Sequence, residues 1–233
     1  MTDWHELVER DHELQNPTSA DKVRLAGEYL RLGPEDRVLD VACGKGGPAV
    51  ILAERFGCRI HGIELREAFA AAARERIEQA GLAQLVDVET ADASAALLEP
   101  HAWDAALCLG AAFVWGHIGD AAAALVPAVR PGGGLAIGEP FWRERGRDED
   151  GFVDLPATVA RLEAAGVAIT GLVAASEDDW DRYESLHWRA AVEALAAWPD
   201  ADLEATHRQH VERHIATRRF QLGWAIFVAR VPG

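Results

Sequence analysis

The feature that most constrains this chain is a short apolar stretch that carries one acid and then opens into a glycine-rich turn. Residues 38–41 read as a buried strand, Gly44 and Gly46 follow, and residues 48–55 have the composition of a helix. Glycine lacks a Cβ atom, so the backbone there can adopt positive φ and approach a ligand closely. The unpaired N–H groups at the start of the helix, with its positive dipole end, face whatever occupies the turn. Strand, tight turn and helix in this order predict a nucleotide-type site.

The glycine pattern by itself leaves two ligand classes open. Gly44, Gly46 and Ala49 satisfy the G-x-G-x-x-G/A pattern of dinucleotide-binding folds, and Glu64 lies where a ribose-binding acid is expected. Asp40 favours a different ligand, because an anion just before the turn opposes a pyrophosphate. S-adenosylmethionine (SAM) has no phosphate and carries a sulfonium and an ammonium group, which acids attract. SAM is therefore the preferred cofactor, and NAD-linked oxidoreduction is the alternative.

The run Asp40-x-x-Cys43-Gly44-x-Gly46 closely resembles motif I of the class I SAM-dependent methyltransferases. Further segments resemble the later strands of that family in the same order: residues 59–65, 86–93, 103–110 and 129–139. The resemblance implies an α/β fold with a seven-stranded, mostly parallel Rossmann-like sheet and helices on both faces. It also implies an antiparallel last strand between the fifth and the sixth.

The same resemblance assigns roles to individual side chains. It implies that Glu64 binds both ribose hydroxyls and that Asp92 reads the adenine amino group. Asp40 is expected near the methionine amino group, through water or the neighbouring backbone. The cofactor-binding residues implied by the motifs are Asp40, Ala42, Cys43, Gly44, Gly46, Glu64, Leu65, Asp92, Ala93, Leu109 and Gly110.

Composition limits the remaining function classes. The chain has 233 residues, of which 49% are hydrophobic, so we expect one core and a single domain over residues 1–233. No apolar run reaches the ~18 residues of a membrane span, and the acidic N-terminus does not read as a secretory signal. The three cysteines fall in predicted strands or the turn, which favours reduced thiols in a cytoplasmic protein.

Charge and residue spacing exclude other partners. A net charge of −15 disfavours nucleic acid, since phosphate contacts require a basic face. No cysteine or histidine cluster has zinc spacing, so no metal is expected. The expected partner is a small-molecule substrate, without nucleic acid or membrane, and the expected assembly is a monomer or a homodimer.

Two segments lie outside the SAM-binding core that we assign to residues 34–175. The first is an N-terminal arm over residues 1–33, with a predicted helix over 4–14 and a second helix through Leu32 that begins at a Thr18–Asp21 capping box. The second is residues 176–221, predicted as two helices separated by residues 198–200, because so long a connection does not stay without structure. We expect this helical cap, inserted before the last strand at 222–233, to influence substrate choice.

Aromatic residues of the cap fall near one helical face. They either pack the cap onto the sheet or form a wall over the methyl donor. Together with the residues after the fifth strand, the run resembles an uncharacterised bacterial subgroup of small-molecule methyltransferases. The substrate-binding residues predicted on this basis are Trp115, Phe141, Trp142, Trp180, Tyr183 and His187.

Methyl transfer from a sulfonium needs mainly in-line alignment of the acceptor, so neither a metal nor a covalent intermediate is required. A base is needed only for an acceptor that arrives protonated. His117 and Glu139 are the candidates, because they follow the fourth and fifth strands, at the edge where such sheets bind ligands. A capping role for His117 and a polar wall role for Glu139 are the alternatives. The leading hypothesis is methyl transfer to a small molecule, and the rival is a SAM-binding regulator or sensor without transferase activity.

Overall fold

The computed structural model describes residues 4–96 and 98–233, and a seven-stranded sheet forms their centre. The strands are β1 Arg37–Val41, β2 Arg59–Glu64, β3 Val86–Thr90, β4 Trp103–Leu109, β5 Val129–Trp142, β6 Ala168–Ala174 and β7 Leu222–Arg230. Their order is β3-β2-β1-β4-β5-β7-β6. Strands β1 to β5 pair in parallel, and β7 is antiparallel to both of its neighbours. The expected fold class, including the place of the last strand, is confirmed.

Helices cover both faces of this sheet. They are α1 Trp4–Val8, α2 Ala20–Leu30, α3 Gly47–Phe56, α4 Glu67–Gln79, α5 Ile118–Leu125, α6 Leu155–Ala164, α7 Glu177–Ala197, α8 Ala201–Arg213 and α9 Arg219–Gln221. A π-helical turn, His214–Arg218, joins α8 to α9, and 3-10 turns occupy Ala112–Val114 and Val126–Ala128. A small hairpin pairs Asp148–Glu149 with Phe152–Val153.

The core lies in two layers because successive side chains of a strand point to opposite faces. Val38 packs with α2 and α3 on one face, whereas Leu39 packs with α5 on the other, and both are fully buried. Burial on both faces explains why the parallel strands read as continuous apolar runs rather than alternating ones.

Two helix boundaries in the N-terminal arm differ from the expectation. The first helix ends at Val8 rather than near residue 14, because the chain beyond it turns to follow the glycine-rich loop. Helix α2 is capped by Ser19, whose side chain accepts a hydrogen bond from the Lys22 N–H, and not by a Thr18–Asp21 box.

The segment between β6 and β7 forms the two long helices that the sequence predicts, α7 and α8, with a break at residues 198–200. Ser176 and Asp179 form a capping box at the start of α7. Helix α7 is tied to the N-terminal arm by ion pairs of Arg189 with Asp11 and of Arg10 with Glu193. Across the described part of the chain, no helix has the length and apolarity to cross a membrane.

Candidate functional site

A cavity of about 540 Å³ lies at the carboxyl ends of β1, β2 and β4. Its wall brings together ten of the eleven residues that the motifs nominate for cofactor binding; Gly46 is the exception and caps α3 instead. The convergence follows from topology, because the carboxyl ends of parallel strands meet at one edge of a sheet. Of the six residues nominated for the substrate, Tyr183 lines this cavity.

The glycine-rich turn has left-handed backbone at three positions. Gly44 has φ of +58°, Gly46 has +72°, and Ala42 has +53° although it carries a side chain. A Cβ atom on Gly44 would lie 2.1 Å from Gln15 Oε1, so the N-terminal arm itself fills the space above this glycine. The turn therefore requires glycine at position 44 for conformation and for close packing of the arm.

Glu64 is held rigidly at the end of β2. Its Oε2 accepts a hydrogen bond from the Gly44 N–H at 2.9 Å, and its Oε1 accepts one from the Arg66 N–H at 2.8 Å. The side chain is buried, yet it lines the cavity. Since each carboxylate oxygen can accept a further hydrogen bond, Glu64 fits a ligand that presents two adjacent hydroxyl donors, as a ribose does.

Asp40 is a buried acid whose carboxylate is incompletely hydrogen-bonded. Only 1% of the residue is exposed, and its Oδ2 has no hydrogen-bond partner among the described residues. Burial, and to a smaller extent the charge of Glu64, raise the pKa of Asp40 to about 7. An orphaned carboxylate on a cavity wall fits a cationic group, so the site suits the ammonium of SAM and opposes a pyrophosphate.

Asp92 lies at the exposed mouth of the cavity beside Leu65, whose exposure is 65%. Hydrogen bonds from the Ser94 hydroxyl and N–H fix the Asp92 carboxylate and lower its pKa. The three carboxylates predicted from the motifs thus lie on the same cavity.

The N-terminal arm forms a roof that the sequence does not predict. Lys45 Nζ donates hydrogen bonds to the carbonyls of Glu9 and Arg10 at 2.7 and 2.8 Å. Gln15 Oε1 accepts from the Lys45 N–H, and Asn16 Nδ2 donates to the Leu109 carbonyl at 2.8 Å. The arm therefore connects motif I with the loop after β4. The break at Asn16-Pro17 signals a turn in the sequence, but it carries no information on what the turn contacts.

His117 and Glu139, the candidate bases, lie outside the cavity lining. His117 caps α5, because its Nδ1 accepts hydrogen bonds from the Gly119 and Asp120 N–H groups. Glu139 is buried within β5, and burial raises its pKa to about 7. The structure therefore favours the capping alternative for His117 and places neither side chain at the cavity.

Phe141 and Trp142, predicted to bind the substrate, lie in the hydrophobic core and outside the cavity lining. Strand β5 continues through Trp142, which pairs with Leu222 of β7, so these residues are part of the sheet rather than of a loop. Phe141 packs edge-on against Phe227, and Trp142 Nε1 donates to the Glu149 carbonyl. Trp115, the C-cap of the 3-10 turn Ala112–Val114, also lies outside the lining.

The cap aromatics divide between the two roles that the sequence leaves open. Trp180 is 5% exposed and belongs to the hydrophobic core. Tyr183 reaches the cavity, and its hydroxyl donates to Glu9 Oε1 at 3.0 Å. His187 lies behind it, with Nε2 2.9 Å from Glu9 Oε1. Burial alone would lower the pKa of His187, but hydrogen bonds and charges of Glu184 and Glu9 raise it to about 9.

The known proteins that resemble this chain include methyltransferases. The family described as "Methyltransferase domain" matches residues 38–133. The uncharacterized protein YjhP of Escherichia coli is 30% identical, over 95% of each chain. The 27-O-demethylrifamycin SV methyltransferase of Amycolatopsis mediterranei is 28% identical, over 94% of this chain and 85% of its own. The crystal structure of a SAM-dependent methyltransferase from Thiobacillus denitrificans, in complex with S-adenosylhomocysteine, superposes with a TM-score of 0.90 at 30% identity and covers 98% of both chains.

Proposed function

Because this chain belongs to the SAM-dependent methyltransferases, we propose that it transfers the methyl group of SAM to a small-molecule acceptor and releases S-adenosylhomocysteine (SAH). The observation that carries the proposal is the single cavity on which Asp40, Glu64 and Asp92 converge. Its unpaired buried carboxylate and its glycine-rich turn match a cationic nucleoside ligand.

SAM, when bound, supplies a methyl group on a positively charged sulfur, which an aligned nucleophile displaces in line. Glu64 would hold the ribose hydroxyls, Asp92 the adenine and Asp40 the ammonium. The protein's main contribution is then to hold the acceptor in line with the methyl group, an effect on the order of 7–11 kcal/mol. The arm over Gly44 would exclude water from the cavity during the transfer.

The part of the lining that is not nominated for the cofactor supports a small acceptor. It includes Glu9, Phe113, Val114 and Tyr183, which give it a mixed polar and apolar surface. A net charge of −15 disfavours a nucleic-acid acceptor. The similarity to a methyltransferase named for a rifamycin also supports a small-molecule acceptor. Three buried free thiols, Cys43, Cys58 and Cys108, fit our proposal of a cytoplasmic location.

The test uses calorimetry and mass spectrometry. The purified protein is titrated with SAM, SAH and NAD, and it is then incubated with SAM and fractionated metabolite extracts while SAH release is measured. We expect binding of SAM and SAH but not NAD, and SAH release with at least one fraction that also yields a product heavier by one methylene unit. The matched variants are Glu64→Gln, in the cavity, and Glu139→Gln, a buried acid outside its lining. Glu64→Gln should weaken SAM and SAH binding and slow SAH release, and Glu139→Gln should retain SAH binding.

The rival hypotheses give different results in the same experiment. Tight SAH binding without release of SAH in any fraction would favour the regulatory or sensor function. Binding of NAD in place of SAM would contradict the assigned cofactor.

A further inference from the structure

Beside the cavity, Glu9, His12 and His187 bring a carboxylate and two imidazoles together. One ligand atom from each lies within 4.8 Å of the other two. Glu9 and His12 follow α1 in the N-terminal arm, whereas His187 belongs to α7, 178 positions from Glu9. We propose that these three side chains form a binding site for a divalent metal ion of the zinc type.

The distances between the ligand atoms fit such an ion. His187 Nε2 lies 2.9 Å from Glu9 Oε1, and His12 Nδ1 lies 3.4 Å from Glu9 Oε2. Zinc bonds to nitrogen and oxygen are about 2.0–2.2 Å long. Bonds of that length place neighbouring ligand atoms about 2.9 Å apart at right angles and about 3.4 Å apart at tetrahedral angles. The two distances are thus of the size that zinc coordination gives, with one histidine nitrogen beside each oxygen of Glu9.

Two of the ligand atoms are buried without a hydrogen-bond partner in the described structure: Glu9 Oε2 and His12 Nδ1. His12 is 1% exposed and Glu9 is 6% exposed. The other ring nitrogen of His12, Nε2, lies 2.9 Å from the Tyr183 carbonyl, which can only accept a hydrogen bond, so Nε2 carries the proton. In the neutral ring, Nδ1 therefore presents a lone pair toward Glu9 Oε2. Two buried acceptors that face each other at this distance point to a cation between them.

The surroundings have the outer-shell contacts that are usual for metal-binding histidines. Such histidines donate their second N–H to a carbonyl or a carboxylate, which orients the ring. His12 Nε2 donates to the Tyr183 carbonyl, and His187 Nδ1 lies 3.9 Å from Glu184 Oε2. The Tyr183 hydroxyl orients Glu9 through its hydrogen bond to Oε1. Hydrogen bonds thus orient His12 and Glu9, and an ion pair with Glu184 lies beside His187.

Two histidines and one glutamate leave a coordination position open, which is the ligand set of catalytic zinc sites. Glu9 and Tyr183 line the cavity, whereas His12 and His187 do not, so an ion bound to Glu9 would offer its open position at the cavity wall. Its use rests on the proposed function: the ion would bind an acceptor that carries a donor oxygen or nitrogen and hold it beside the methyl group. The acceptor class inferred is a metal-coordinating small molecule. The sequence predicts no metal because the third ligand is remote from the first two.

Metal binding is tested on the full chain without reference to activity. Protein stripped with a chelator and dialysed is titrated with zinc chloride by calorimetry and with cobalt chloride by visible absorption. We expect one ion per chain and cobalt absorption bands typical of low-symmetry nitrogen and oxygen coordination. His12→Gln and His187→Gln should each weaken zinc binding at least a hundredfold, about the upper limit of losses measured for outer-shell changes. The matched control is His214→Gln, a buried cap histidine beside Asp181, which should retain the wild-type affinity.

Three results would overturn the metal site: no stoichiometric zinc binding by the wild type, a cobalt spectrum equal to that of the free aqueous ion, or equal zinc affinity in both histidine variants and the wild type. The wild-type cobalt spectrum decides the question even if a variant fails to fold, as its melting temperature would reveal. Titration with SAH on the same samples separates the two proposals. SAH binding without zinc binding would refute only the metal site, whereas zinc binding without SAH binding would refute only the proposed methyl transfer.

Discussion

Asp40 should make cofactor binding depend on pH near neutrality. The carboxylate is buried on the cavity wall, and burial raises its pKa to about 7 in the ligand-free protein. A ligand whose ammonium pairs with Asp40 binds only the ionised form. An α-amino group titrates near pH 8, so the ligand remains cationic below neutrality. We expect SAH affinity to fall as the pH is lowered from 7.

The magnitude follows from the ionised fraction of Asp40. With a pKa of about 7, roughly half of the molecules are ionised at pH 7 and about 3% at pH 5.5. The dissociation constant for SAH should therefore rise about fifteenfold over this interval, close to 1.6 kcal/mol of binding free energy. Asp40→Asn should bind SAH more weakly at pH 7 and should lose this pH dependence.

As the pH is lowered, Asp40 weakens SAH binding but makes the folded protein more stable. A carboxyl whose pKa is raised on folding destabilises the folded state increasingly as the pH rises from about 4 to about 7, and the destabilisation persists above pH 7. At pH 5.5 it is smaller than at pH 7, so weaker SAH binding there does not arise from unfolding driven by Asp40.

The assay is calorimetric titration with SAH at pH 5.5, 6, 6.5 and 7, with the melting temperature measured at each pH. Glu139→Gln is the matched control, because burial raises the pKa of Glu139 to about 7 as well, yet its side chain does not line the cavity. That variant should retain the wild-type slope. A dissociation constant that stays constant from pH 7 to 5.5, or an Asp40→Asn variant with the wild-type slope, would refute the pairing of Asp40 with the ligand ammonium.

Four further substitutions test the rest of the site. Glu64→Ala should weaken SAM binding by roughly 1.5–3 kcal/mol in calorimetry, and unchanged affinity would contradict its role. Gly44→Val should abolish SAM binding, because valine is strained at φ of +58° and its Cβ would meet Gln15; a folded variant with normal affinity refutes this. Trp180→Ala should cost about 3–5 kcal/mol of stability, seen as a large fall in melting temperature, since the residue lies in the core. Tyr183→Phe should change the acceptor kcat or KM while SAH affinity changes by less than about 1 kcal/mol, and an equal loss of both would remove Tyr183 from the acceptor side.

The central strands of the sheet could be predicted from sequence because they are buried on both faces. Residues 38–41 and 103–110 are apolar runs that end in turn signals, which is what a central parallel strand requires. The ends of the helices could be predicted less well from the sequence. Residues 9–14 have a helical pattern, but the hydrogen bonds of Lys45 to the Glu9 and Arg10 carbonyls hold that chain outside α1, and such a long-range contact leaves no local signal.

The residues proposed to bind the cofactor could also be predicted from the sequence, because the strands that carry them could be recognised. Asp40, Gly44 and Glu64 lie at strand ends, and topology alone brings strand ends together. Phe141 and Trp142 were misplaced because no residue in the sequence marks where β5 stops. The strand extends to residue 142 since β7 pairs with it along its whole carboxyl half.

The part of the cavity lined by Glu9 and Tyr183 could not be predicted from the sequence, because two segments that are distant in sequence build it together. A helical pattern tells which residues of α7 share a face, but it does not tell what that face contacts. Trp180 and Tyr183 are three positions apart, yet one packs in the core and the other reaches the cavity. Tyr183 differs from Trp180 in that its hydroxyl, like the His187 ring, contacts the Glu9 carboxylate of the arm. Because Lys45 ties the same arm to the glycine-rich turn, a movement of the arm would alter the cofactor wall and the Glu9 cluster together.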